Sequence, residues 1–261
     1  MLQNRRTFLK MGAGLCMATA LSNVSVAQNT TTLSALSAQP GPLPLNITQL
    51  RLSIGAQKPF QALHVSDSHL CLADERENER KRTLAVARNR YFSKAQLYLD
   101  AAIAHAKQNN ELFLHTGDLI DFVSESNLDA VQARLSSAFC FVSSGNHEFS
   151  QYVGEAKEDD AYKAQSFNRV QQSFPNDLTF CSRVIHGINF VALDDVYYNF
   201  TAKQMELFKA EVAKELPIVM LCHCPLYTPE LFDHVLHKEK AGCAYVVGAP
   251  DERMDSYRQG R

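Results

Sequence analysis

Eight side chains in this sequence could hold a cation or move a proton, and they sit at the ends of four short apolar runs. FQALHVSDSHL, Phe60 to Leu70, carries Asp67 and His69, and LFLHTGDLID carries Asp118 and Asp121. FCFVSSGNHE carries Asn146, His147 and Glu148, and PIVMLCHCP carries His223. The apolar and β-branched residues ahead of each group read as buried strands, so the polar residues arrive just past a strand's end. On an extended backbone Asp67 and His69, two positions apart, leave from one face and can reach one cation. Alone, each group has a plainer explanation: Asp118 after Gly117 as a turn or helix cap, Asn146 as a left-handed turn residue. One design repeated four times points instead to a shared site.

The elements that must position these residues follow from the periodicity between them. Thr48 to Ile54 alternates as a first strand and is expected to form a hairpin with the Asp67 strand across Gly55 to Lys58. Asp74 to Arg82 is a run of mixed charge, read as a solvated loop and helix start. From Leu84 the spacing Leu84, Ala87, Tyr91, Ala95, Tyr98, Ala102 predicts one long helix ending near Asn109-Asn110. The strand Glu111 to Thr116 follows, and strand, crossover helix and strand imply a parallel pair. A helix over Asn127 to Ala138 leads to a third buried strand, Phe139 to Ser143. All these polar groups thus fall where open α/β sheets place their sites, at the C-terminal ends of strands. Gln151 to Phe174 reads as a loop and a surface helix with Tyr162, Phe167 and Val170. Ser182 to Ile185 and Ile188 to Leu193, joined at His186-Gly187, read as an antiparallel hairpin, followed by a helix over Ala202 to Glu215 and the strand Ile218 to Leu221. A last apolar run spans Cys243 to Val247.

At 261 residues the chain holds one large α/β domain, and 46% hydrophobic with 21% charged residues is ordinary for a globular protein. The first 27 residues read as an export signal: Asn4 to Lys10 is a twin-arginine pattern, an apolar small-residue segment runs to Leu21, and Ser25-Val26-Ala27 offers a cleavage site. The apolar segment is short and diluted by Gly12, Gly14 and Thr19, so no stable membrane anchor is expected. The expected partner is the twin-arginine translocase, and the expected location is periplasmic or secreted. The formal charge is −2, and because that segment carries three cations and no acid, the remainder carries −5. A mildly acidic protein has no general attraction for nucleic acid, so phosphate affinity must come from a local site. Residues 28 to 45 read as a linker and 46 to 261 as the folded domain. The six cysteines after the signal match no disulfide framework and read as small buried hydrophobes. His64 and His115 read as core groups or groups behind the site, and His105, His186, His234 and His237 as surface residues.

In order, Asp67-Ser68-His69, Gly117-Asp118-Leu119-Ile120-Asp121, Gly145-Asn146-His147-Glu148 and His223 resemble the motifs of the calcineurin-like metallophosphoesterase family over roughly residues 60 to 225. The resemblance implies two mixed sheets packed face to face with helices on both outer sides. It implies a site for two metal ions (Fe, Mn or Zn), with Asp67 and His69 on one, Asn146 and His223 on the other, and Asp118 bridging them. A shared carboxylate offsets the repulsion of two close cations, and a mixed oxygen and nitrogen donor set suits those metals. The implied reaction is hydrolysis of a small-molecule phosphate mono- or diester by a bridging hydroxide. His147 would serve as hydrogen-bond donor or acid, and Asp121 or Glu148 would orient a neighbouring imidazole. The family closes its site with a later Gly-His-x-His pattern, which nothing after His223 matches. His234-Val235-Leu236-His237 has the wrong spacing. The expectation is therefore a C-terminally truncated member, with the alternative of an impaired metal- or ligand-binding fragment.

Overall fold

The computed structural model describes residues 43–136, 138–155, 159–238, 244–250 and 252–253. The expected signal, residues 1 to 27, and all but the end of the expected linker lie outside the described residues. Three of the apolar runs form one sheet: β1 (Ala62–Val65), then helices α1 (Glu79–Asn89) and α2 (Ala95–Gln108), β2 (Leu112–Thr116), α3 (Glu125–Arg134) and β3 (Cys140–Ser143). The strands lie in the order β1-β2-β3, all parallel, with Leu63 beside Phe113 and Leu114 beside Phe141. β3 is buried along its whole length, as a parallel strand covered on both faces must be. A 3-10 turn, Asn146–Phe149, and two short helices, α4 (Asp160–Ala164) and α5 (Phe167–Ser173), lead to the second sheet.

That sheet contains β4 (Phe180–Ile185), β5 (Ile188–Leu193) and, after α6 (Ala202–Val212), β6 (Ile218–Leu221). The hairpin β4-β5 is antiparallel and turns on His186 and Gly187, both at positive φ (50° and 82°), which matches the twist of the flanking strands. β6 pairs parallel to β5, so this sheet is mixed while the first is wholly parallel. Leu114 and Phe141 of the first sheet meet Ile188, Phe190, Ala192 and Leu221 of the second, and this is where the two sheets pack face to face. Leu99, Ala102, Ile103 and Ala106 of α2, with Leu128 and Val131 of α3 and Val170 of α5, cover the outer face of the first sheet. α6 covers the second. Short α7 (Pro229–Asp233) and the turn His234–Lys238 follow β6. The layered α/β fold expected from the sequence is the one observed.

Several elements differ from the expectation. Thr48 to Ile54 forms no strand and no hairpin: Leu52 and Ile54 are partly covered, Ile54 against a core cluster, but Leu50 is exposed and the segment pairs with no strand. Periodicity reports which side chains are covered, and a strand also needs a neighbour's free backbone groups. The long helix is two helices, α1 and α2, broken over residues 90–94. Tyr91 stays 66% exposed, while Phe92 turns inward to stack on His69 with ring centroids 4.4 Å apart. The face of α2 that is covered is Leu99, Ala102, Ile103 and Ala106, not Tyr98. The expected surface helix within Gln151 to Phe174 is two short helices, α4 and α5, which bury Tyr162 and Val170 while Asn168 and Arg169 stay exposed. Cys71, Cys140, Cys181 and Cys224 are free thiols, all but Cys181 buried, and Cys243 lies outside the described residues.

Candidate metal centre

The chain leaves β1 and β2 side by side, and the pairing continues irregularly past both strands. Asp67 N–H donates to Gly117 O at 3.1 Å, His69 N–H to Asp118 O at 2.9 Å and Leu70 N–H to Leu119 O at 2.9 Å. The backbone there is not extended, as the two-residue spacing had implied: Asp67, His69 and Asp118 sit at φ 55°, 47° and 54°. Three left-handed non-glycine residues cost of order 1–3 kcal/mol each, and such strain persists only where surrounding contacts hold it. Two glycines let the loops close on one another. A Cβ on Gly117 would lie 2.7 Å from both Gly145 N and His223 Nδ1, and one on Gly145 would lie 2.7 Å from Asp118 N.

The side chains converge on one carboxylate oxygen. Asp118 Oδ2 lies 3.4 Å from His223 Nε2, 3.7 Å from His69 Nε2 and 3.9 Å from His147 Nε2, and His69 Nε2 is 3.7 Å from Asp67 Oδ1. These separations are too long for hydrogen bonds. They approach the about 3–3.5 Å between donors that share an ion at bond lengths near 2.1 Å. The tautomers agree with that reading. His223 Nδ1 meets Thr116 O at 2.9 Å, His147 Nδ1 meets Asp121 O at 2.7 Å, and His69 Nδ1 meets Asp121 Oδ1 at 2.9 Å. Each partner only accepts, so each Nδ1 carries the proton and each Nε2 presents its second site toward Asp118. His69 Nε2 is buried and has no hydrogen-bond partner among the described residues. A buried orphan nitrogen aimed between two carboxylates fits a cation.

Electrostatics point the same way. Burial alone would raise Asp118, but the imidazoles of His223, His147 and His69 hold it well below the ordinary carboxylate range. Burial would lower His69, yet the carboxylates of Asp121, Asp67 and Asp118 raise it to about 10. Asp118 is 4% exposed and His69 3%, so this is a set of charges assembled out of water. Among the described residues two groups have metal-like spacing: Asp67, Asp118 and His223, and His69, Asp121 and His147. In the second, the Arg88 guanidinium engages Asp121 through Nε at 2.6 Å to Oδ2 and Nη2 at 2.8 Å to Oδ1, so a cation there would face a fixed positive charge. The open group is the first, with His69 reaching in through Nε2.

The family model for calcineurin-like phosphoesterases matches residues 60–251. The chain belongs to the calcineurin-like phosphoesterase family. No curated protein matches the chain. Membership makes it a hydrolase of phosphate esters by class, with two candidate metal-ligand clusters among its described residues.

Within this phosphoesterase site, the residues expected from the sequence divide by position. Asp67, His69, Asp118 and His223 come together, with His147 on their rim. Asn146 opens the 3-10 turn next to His147 and is half-buried. Asp121 meets an imidazole, whereas Glu148 does something else: its Oε2 accepts from Asp118 N and Gly145 N, and its Oε1 from Leu119 N and Ile120 N. Glu148 thus ties the two motif loops together by their backbones. Arg88 and Phe92 were missed, because nothing in the charged run from Asp74 onward marks one arginine as different from its neighbours. Asp195 was missed too, although Leu193-Asp194-Asp195 ends the apolar run of β5 by the same design as the other four. It is 1% exposed, its Oδ2 accepts from Cys224 N at 2.6 Å, and burial pushes it up to about 7.

Proposed function

We propose that this phosphoesterase hydrolyses a small-molecule phosphate mono- or diester at a pair of cations held by Asp67, His69, Asp118, Asn146 and His223. The observation that carries the reading is the convergence of His69, His147 and His223 Nε2 on Asp118 Oδ2. In this reading Asp67 and His69 would hold one ion and Asn146 and His223 the other, with Asp118 available to both, because its negative charge would offset the repulsion of two neighbouring cations. The mixed oxygen and nitrogen donors favour Fe, Mn or Zn. When bound, such ions would neutralise phosphoryl oxygens and acidify an attacking water. The protein's own residues supply the rest. Thr116 O and Asp121 fix the imidazole tautomers, and Glu148 with Gly117 and Gly145 keeps the loops at close range. His147 keeps its Nδ1 proton on Asp121 O, so a proton given to the leaving oxygen would come from Nε2. The chain is exported in this account, carried as a folded protein by the twin-arginine translocase to the periplasm or beyond.

The test uses the full chain loaded with Mn²⁺, Fe²⁺ or Zn²⁺ and an aryl phosphate. Asp118→Asn is expected to abolish two-ion occupancy and phosphate release together, since an amide cannot offset two cations. His147→Ala is expected to keep the ions by elemental analysis while losing about 10²-fold to 10⁴-fold in rate, most for poor leaving groups. Ions bound without phosphate release by the unaltered chain would favour the binding fragment over the enzyme. Full occupancy in Asp118→Asn would show that another group is shared.

A further inference from the structure

Asp121 is wholly buried and lies within reach of two imidazoles, so it has the chemistry of a metal ligand yet is bonded as something else. Its Oδ1 meets His69 Nδ1 at 2.9 Å and lies 3.3 Å from His147 Nδ1. What separates it from Asp67 and Asp118 is Arg88, whose planar fork takes both of its oxygens, at 2.6 and 2.8 Å. A bidentate guanidinium fixes the plane of a carboxylate and neutralises it, which a lysine cannot do.

We infer that Arg88 is a positioning residue of the metal centre: it keeps Asp121 as the hydrogen-bond acceptor of His69 and out of the cation's donor set. The inference rests on the cation reading proposed above. Without the guanidinium, Asp121 would be a bare buried carboxylate near two cations and would turn toward them, releasing His69 Nδ1. The orphan Nε2 of His69 would then lose its aim between Asp67 and Asp118. Arg88 is itself held on two sides. Its guanidinium lies 5.1 Å from the centroid of the Phe92 ring, and the same ring stacks on His69 at 16° between planes. Helix α1, which carries it, is anchored by the Asn78 cap, by Lys81 Nζ on Val123 O at 2.7 Å and by Asn89 Nδ2 on Cys71 O at 2.8 Å. The break after Asn89 lets Arg88 and Phe92 approach His69 together.

The test is calorimetric Mn²⁺ binding to the chelated full chain, with Arg88→Ala, Arg88→Lys and the unaltered protein compared. Arg88→Ala is expected to keep its circular dichroism and bind about 10-fold to 100-fold more weakly, the usual effect of removing a group that orients a ligand. Millimolar methylguanidinium should restore most of the affinity, because the Arg88 side chain is partly exposed at 22% and the space it leaves is open to solvent. Arg88→Lys should restore little. The imidazole Nδ1–H resonance of His69 should be protected from exchange in the unaltered protein and lost in Arg88→Ala. Unaltered affinity in Arg88→Ala, a lysine variant equal to the original, or a loss that methylguanidinium does not reverse would each overturn the inference while leaving the cation reading standing. If Arg88→Ala does not fold, the lysine variant decides, since it differs from arginine in the fork and not in charge. An unaltered protein that binds no Mn²⁺ would overturn the cation reading and this inference with it.

Discussion

His115, on the central strand β2, has no exposed surface, meets Ser68 Oγ through Nε2 at 2.9 Å and leaves Nδ1 with no partner among the described residues. Burial holds it neutral, down to about 3 from an ordinary 6.5. Between those values the unfolded chain takes up a proton that the folded chain refuses, so stability falls as pH drops through that window. His115→Gln, which can keep the Ser68 contact but does not titrate, should therefore lose less stability on going from about pH 6.5 to about pH 4.5, by roughly 2 kcal/mol. Denaturant midpoints of the two proteins at both pH values measure this, and parallel losses would show that His115 is not the group responsible. Asp67, His69, Asp118 and His223 could be found in the sequence because each ends an apolar run. The part played by Arg88 could not, because a helical arginine acquires a role only from what its fork meets.

Among the elements, the close crossing of the loops after β2 and β3 is the demanding feature. Gly145 has φ −115° and ψ −179°, a conformation open to any residue, so only space excludes a side chain there. The excluded volume belongs to Asp118, 2.7 Å away at its backbone nitrogen. Gly145→Ala should lower stability by about 1–3 kcal/mol through overpacking and weaken Mn²⁺ binding at least 10-fold, by displacing Asp118. Gly154, with nothing within 4 Å of an added Cβ, provides the control: its alanine variant bears only the backbone strain of φ +90° and should bind Mn²⁺ unchanged. Equal calorimetric affinities for both variants would remove the loop crossing as a determinant of the site. The break between α1 and α2 was not legible in the apolar spacing, which runs across it; Phe92, within the break, stacks on His69, a contact the spacing could not show.

For the whole molecule, no helix among the described residues is long and apolar enough to cross a membrane. The export proposed above rests on the N-terminal Asn4 to Lys10 pattern. Replacing Arg5 and Arg6 with Lys preserves charge and should leave the precursor in the cytoplasm, because the translocase reads the arginine pair itself. Fractionation with mass determination of the N-terminus checks this, and a double mutant still cleaved near Ala27 and found outside would refute it. A twin-arginine route also suits the site, since a centre built from four separate segments must be folded before its ligands exist together.

The sequence by itself determined the layered α/β class, the parallel crossovers and the residue types at the strand ends, because apolar period and chain order are local properties. It did not determine the left-handed turns at Asp67, His69 and Asp118, the diversion of Glu148 to backbone amides, or the division of the carboxylates. Asp121 and Asp118 are three residues apart in one motif, and both are buried acids beside imidazoles. Only the tertiary structure separates them, by bringing a guanidinium from α1 to one and three imidazole nitrogens from distant segments to the other. Charge partners across space, not spacing along the chain, decide which acid is neutralised by the protein and which is left for a cation.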